Sequence, residues 1–224
     1  MTSPDDLRDL DALASLTDPV RRRAYQAIAD AAGPAGRDDV AEALGIGRTL
    51  AAFHLDKLVA AGLLAVSYAR RSGKTGPGAG RPAKLYQVAA AEHAVSVPPR
   101  AYRGAAELLA EALEEAGAEE TLNRVAQRHG RRTPACADAT ALLTGQGYGP
   151  VAAGPDRIEL RNCPFHRLAE QFPPVICGMN LAMISGLLDG AGLDGEWTAR
   201  MDAAPGRCCV TLSKNLRESP QEAV

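Results

Sequence analysis

Residues 37–64 read RDDVAEALGIGRTLAAFHLDKLVAAGLL. Apolar residues recur at helical spacing on both sides of Gly45-Ile46-Gly47. The pattern predicts one helix over about 38–44, stopped at Gly45, and a second from near Gly47 to Gly62. Ile46 would plug the turn between them. Val40, Leu44, Ile46, Leu55 and Leu58 would form the small core beneath. Arg48, Thr49, Ala52, Phe53, His54 and Lys57 are left on or near the exposed face of the second helix.

This is the spacing of a helix-turn-helix, whose second helix enters the major groove of DNA. Upstream, TDPVRRRAYQAIADAAG (17–33) predicts another helix. Asp18 is its N-cap, Pro19 its first residue, and Gly33-Pro34 its stop. Downstream, LLAVSYARR (63–71) and AKLYQVA (83–89) alternate as strands do. The connector SGKTGPGAGRP (72–82) is basic, rich in glycine and too long for a tight turn. The pair therefore reads as a hairpin with a long tip, the wing of a winged helix. Between Arg48 and Lys84, the seven basic residues Arg48, Lys57, Arg70, Arg71, Lys74, Arg81 and Lys84 face Asp56 alone, a balance of +6 in a chain of net charge −2. A polyanion is the natural partner, here double-stranded operator DNA. Gly73, Gly76, Gly78 and Gly80 would let the backbone approach phosphate, and Arg81 would reach a minor groove. The competing reading is a small helical domain with a solvated charged face.

The whole chain has 224 residues, enough for one large domain or two small ones, and 46% of them are hydrophobic. Aromatic residues make up only 4%, so aliphatic side chains must build the core. The acidic N-terminus has no secretory apolar region, and no run approaches eighteen apolar residues, so the expectation is a cytoplasmic protein with no membrane partner.

VSVPPRAYRG (95–104) is a proline-marked joint. Residues 105–132 carry an apolar stripe of Leu108, Leu109, Ala112, Leu113, Ala116, Leu122 and Val125, breaking at Gly117. The stripe suits either its own domain or the same helix of a second subunit, and a homodimer is expected because two half-sites double the DNA contacts. Residues 133–145 predict a further helix bearing Cys136. Strands follow around Gly154-Pro155, then a short helix at CPFHRLAEQF, a long one opened by Pro173-Pro174, and two strands joined at Pro205-Gly206. The expected fold class is α+β: a winged helix-turn-helix over 1–95, a helical linker over 96–132, and an antiparallel sheet with helices over 133–224.

Five cysteines, an odd number, argue against a disulfide framework in a reducing compartment. Cys163 and His166 have the spacing of a short metal chelate, Cys177 follows, and Cys208-Cys209 come later. Adjacent strand residues face opposite ways, so one of that pair is expected to be a ligand. Three thiolates and an imidazole suit structural zinc or an iron–sulfur cluster. Metal-free redox thiols and plain core packing are the competing readings. A thiol enzyme using Cys163 and His166 lacks a recognisable acidic orienting residue, so no enzyme is expected. Met179, Met183, Leu187 and Leu188 recur at helical spacing, either as core or as the wall of an apolar-ligand pocket.

DPVRRRAYQAI, RTLAAFHLDKLVAAGLL and GRPAKLY resemble the ArsR-like bacterial repressors. NCPFHRLAEQFPPVICGMN (162–180) and PGRCCVTL (205–212) narrow the resemblance to the SufR-like regulators, over nearly the whole chain. That resemblance implies a repressor whose C-terminal cysteines hold an iron–sulfur cluster. Cys163 and Cys177 fit the pattern, Cys208 or Cys209 supplies a third ligand, and His166 is the nearest candidate for the fourth.

Overall fold

The structure, a computed structural model, describes residues 4–31, 33–69, 82–204 and 206–215. Arg70, Arg71, Lys74 and Arg81, with the glycines 73, 76, 78 and 80, lie outside the described residues. The chain is α+β with two small antiparallel sheets, and it divides into two units, Met1–Arg100 and Ala101–Val224.

The first unit runs α1 (Pro4–Ser15), α2 (Pro19–Asp30), β1 (Ala35–Gly36), α3 (Arg37–Leu44), α4 (Arg48–Ala60), β2 (Leu64–Ala69) and β3 (Ala83–Val88). The Asp18 carboxylate accepts from the Val20 and Arg21 amides, both at 2.9 Å, and Pro19 opens α2 as expected. Gly45 ends α3 with φ 67°, a left-handed conformation in which a side chain would be strained. Ile46 then donates its amide to Ala41 O at 3.0 Å and packs against the core. On α4, positions 51, 54, 55 and 58 follow i, i+3, i+4, i+7 spacing, and Ala51, His54, Leu55 and Leu58 all point inward. The two-residue β1, unmarked in the sequence, pairs with β3 and sets the sheet order β1-β3-β2.

Asp56, on the outer side of α4, joins it to the sheet. Its Oδ1 accepts from Lys84 Nζ at 2.6 Å and from the Tyr86 hydroxyl at 2.9 Å. The Lys84 hydrogen bond holds the Asp56 carboxyl below its ordinary range.

The second unit contains α5 (Tyr102–Glu115), α6 (Glu119–Gly130), α7 (Ala139–Gly145), β4 (Pro150–Ala152), β5 (Arg157–Leu160), α8 (His166–Gln171), α9 (Pro173–Ala191), β6 (Trp197–Met201) and β7 (Val210–Lys214). Gly117, at φ 59°, separates α5 from α6 where the sequence placed the break. The helix expected over 133–145 is shorter, because Asp138 caps it by accepting from the Thr140 amide at 2.8 Å. Cys136 therefore sits before α7, where its thiol donates to Asp138 O at 3.4 Å. The sheet order is β4-β5-β7-β6, so β5 pairs with the distant β7 rather than with its successor β6.

By length and composition α9 is able to cross a membrane, with a mean hydropathy of 1.3. In the fold it is a core helix: Ile184, Leu187, Leu188 and Ala191 pack with Leu143, Leu160, Val210 and Leu212. The Met179–Leu188 stripe is spent here, with Met183 against the same core and Met179 against Ala110, Val175 and Ile176. The α5–α6 stripe is divided. Leu113 and Leu122 pack against that small cluster, while Leu108 and Leu109 are 68% and 66% exposed.

Helices α6 and α9 touch backbone to backbone. A Cβ on Gly186 would lie 2.2 Å from Gln127 O, and one on Gly130 would lie 2.4 Å from Met183 O. One on Gly190 would lie 2.7 Å from Arg131 O. At these positions each helix supplies glycine where the other's main chain arrives, while nearer the start of α9 the Asn123 side chain of α6 lies against Gly178.

Candidate functional site

Two surfaces carry the residues marked in the sequence. The first is the open face of α4. Arg48, Thr49 and Lys57 are exposed there, Ala52 is half-buried, and Phe53 is 51% exposed. Lys57 Nζ lies 5.8 Å from the Phe53 ring centroid, and Arg48 Nε pairs with Asp38 Oδ1 on α3 at 3.2 Å. Leu50, which the sequence reading omitted, is exposed on this face too.

One expectation about this surface needs correcting. His54 is not exposed: it is 5% accessible, and its Nδ1 has no hydrogen-bond partner among the described residues. Its polarity suggested the surface, but the periodicity of α4 sends position 54 inward with Leu55. Lys84, half-buried, is paired with Asp56. Its place on β3, opposite Tyr68 on β2, sets its ammonium beside α4.

The second surface lies at one end of the second sheet. Antiparallel pairing of β5 with β7 brings the exit of β5 and the entry to β7 to the same edge. Cys163 follows β5 and Cys208-Cys209 precede β7, and the Cys208 amide donates to Leu160 O at 2.7 Å. Cys209 O accepts from the Asp202 amide at 2.8 Å. The pair therefore lies outside the regular ladder, and strand alternation does not dictate where both thiols point. Cys177 comes from the second turn of α9.

These four thiols perturb one another. Hydrogen bonding from Cys163 and then from Cys209 draws the Cys208 thiol below its ordinary range, against the opposing effect of burial. Hydrogen bonding to Cys208, and then burial, pushes Cys163 and Cys209 up, and Cys209 also hydrogen-bonds Cys177. Among the described residues, no group of three or more His, Cys, Asp or Glu side chains is placed to hold a metal ion. The four cysteines come from three separate segments and are linked in a chain, Cys163 to Cys208, Cys208 to Cys209 and Cys209 to Cys177; sulfur is the donor type that soft metals take.

His166 is not in this group. It begins α8, is exposed, and turns its Nε2 to Glu170 Oε1 at 3.3 Å, one turn on. Cys209, not His166, is the fourth member of the linked group. The group also contains a residue the sequence reading passed over. Asn180, fully buried on α9 three residues after Cys177, donates from Nδ2 to Cys208 Sγ at 3.2 Å. Its Oδ1 accepts from the buried Tyr148 hydroxyl at 2.5 Å. Burial, followed by the field of Cys208, keeps the Tyr148 phenol protonated far above its ordinary range. A polar residue inside an apolar helix, on the same face as a cysteine, was the available signal.

Compared with family models, curated proteins and solved structures, the chain matches none.

Behind the thiols an ionic knot ties the β6–β7 turn. Asp202 accepts from Arg157 and, at 3.0 Å, pairs with Arg207, whose side chain is largely buried beside Cys208. The Arg157 and Arg207 hydrogen bonds hold the Asp202 carboxyl below its ordinary value of 3.8. A depressed carboxyl stabilises the fold above that value, and its contribution is lost as pH falls through the folded one. Asp202→Asn should therefore be less stable than the parent at neutral pH. The gap should close on acidification below 3.8. Thermal melts across that range check it.

Proposed function

We propose that the chain is a DNA-binding transcriptional regulator, probed through its first unit and switched through its second. What supports the first half is the α3–Gly45–α4 geometry followed by the β2–β3 hairpin, the order of a winged helix-turn-helix. In that reading α4 lies in the major groove, with Thr49 and Lys57 on phosphate and base edges. Leu50 and Phe53 meet thymine methyl groups. Arg48 exchanges Asp38 for phosphate. The partner is double-stranded operator DNA, and the exposed Leu108 and Leu109 suit a homodimer spanning two half-sites.

The second half rests on the four thiols. Cys163, Cys177, Cys208 and Cys209 would hold an iron–sulfur cluster, or zinc in its place. A cluster supplies sensitivity to oxidants and to iron supply when bound. The protein's own part is to bring three chain segments together and to keep the sulfurs away from bulk water. Occupancy would fix Cys177, and with it α9, relative to the β5 and β7 ends. Because α6 is in backbone contact with α9, the two would move as one body.

Enrichment of bound duplexes from a random pool, followed by affinity titration at several salt concentrations, tests the first half. Lys57→Ala should weaken binding and lower the slope of log K against log salt by about 0.9, one phosphate contact. Arg48→Ala should weaken binding too. Binding indifferent to both substitutions would defeat this docking. Anaerobic purification with iron, sulfide and zinc analysis tests the second half. Broad visible absorption with matched iron and sulfide identifies a cluster. One zinc per colourless chain identifies a structural site instead.

A further inference from the structure

Asn180 occupies a costly position. An amide buried in an apolar core must satisfy its hydrogen bonds or destabilise the fold. Asn180 spends its two polar atoms on two named partners, the Tyr148 hydroxyl at 2.5 Å and Cys208 Sγ at 3.2 Å. The orientation is informative. With Tyr148 donating to Oδ1, the NH2 group faces sulfur, and a sulfur that receives an N–H is acting as an acceptor. Metal-bound sulfur can only accept. Among the described residues no side-chain amide donates to Cys163, Cys177 or Cys209, so the support is confined to one member of the vicinal pair.

We propose that Asn180, held in place by Tyr148, is the positioning residue of the thiol site: its N–H donates to Cys208 Sγ and makes Cys208, rather than Cys209, the anchoring ligand. This rests on the reading of the four thiols as a metal-holding site. Outer-shell donors of this kind orient a ligand and withdraw charge from it, and their removal typically costs about 10–100-fold in metal affinity. Tyr148 acts one step further out. Its ring fills the core near Leu143 and Leu160, and its hydroxyl holds the amide through Oδ1.

The test uses the full chain, reduced and metal-free, titrated anaerobically with cobalt(II) alone, whose thiolate charge-transfer band reports sulfur ligation. Asn180→Leu should bind cobalt about 10–100-fold more weakly. Its charge-transfer band should move to lower energy, because a sulfur without its hydrogen bond gives up charge more readily. Tyr148→Phe, which keeps the packing, should move the band the same way by less. In a Cys208→Ser background, Asn180→Leu should add no further loss of affinity, whereas in a Cys209→Ser background it should. Unchanged affinity and an unmoved band in Asn180→Leu and Tyr148→Phe would overturn the role of Asn180 alone. Equal losses in the two serine backgrounds would overturn the choice of Cys208. A parent chain that takes up neither cobalt nor iron would overturn the metal site and this proposal together.

Discussion

Gly186→Ala should cost the second unit about 3 kcal/mol or more and lower its melting temperature by roughly 10 °C or more. The added methyl would meet Gln127 O at 2.2 Å and Gln127 Cα at 3.0 Å. These are backbone atoms in the middle of a helix, so no rotamer change can relieve the clash, and α6 must be pushed off α9. Overpacking a core ordinarily costs about 1–3 kcal/mol because side chains can shift. Here they cannot, and the upper end of that range is the starting point. Gly190→Ala, with its nearest backbone atom at 2.7 Å, should be milder, and Gly195→Ala, which faces open space, should be close to neutral. Thermal melts of the three variants check the order. A Gly186→Ala chain as stable as Gly195→Ala would mean that the two helices do not cross at this distance.

If the four thiols hold a metal as proposed, Cys208→Ser should remove more than about 100-fold of the affinity for it, beyond the loss expected when a residue hydrogen-bonded to a ligand is changed. The reason is position. Cys208 is the buried member of the pair and the acceptor for Asn180, and Cys163 and Cys209 hydrogen-bond to it. Oxygen in its place is a poor ligand for a soft metal. Cys136→Ser should leave metal content unchanged, since Cys136 lies before α7 with its thiol on Asp138 O. Iron, sulfide and zinc per chain after anaerobic purification give the comparison. The first unit of the Cys208→Ser protein should stay folded, with its own core of Leu55, Leu58 and Val40 intact.

Local signals carried the reading of the first unit a long way. Asp18-Pro19 and Gly45 mark helix ends through backbone chemistry that acts within one turn, so the boundaries of α2 and α3 are legible from neighbours alone. His54 was legible too, had periodicity outweighed polarity: positions 51, 55 and 58 are apolar, and 54 shares their face. The thiol site is different. Its assembly depends on β5 pairing with β7 across an intervening α8, α9 and β6, and no local pattern states that register. His166 looked like a ligand because spacing is visible and helix rotation is not. The i, i+4 geometry of α8 offers it Glu170 instead. Gly186 and Gly190 are four residues apart within an apolar helix. That repeat was the sequence's statement that another backbone comes close there.

The fixing of α4 to β3 by Asp56 bears on kinetics. Lys84 and Tyr86 share that one carboxylate, so helix and strand form a single stiff piece before any partner arrives. The loss of conformational freedom is then met during folding rather than at the moment of encounter. On the proposed DNA-binding reading, association through this face should be governed by diffusion and by charge, rising steeply as salt is lowered, with no slow rearrangement following the first contact. Asp56→Ala would loosen the junction and free Lys84, and its mark would be a slower, biphasic approach to equilibrium.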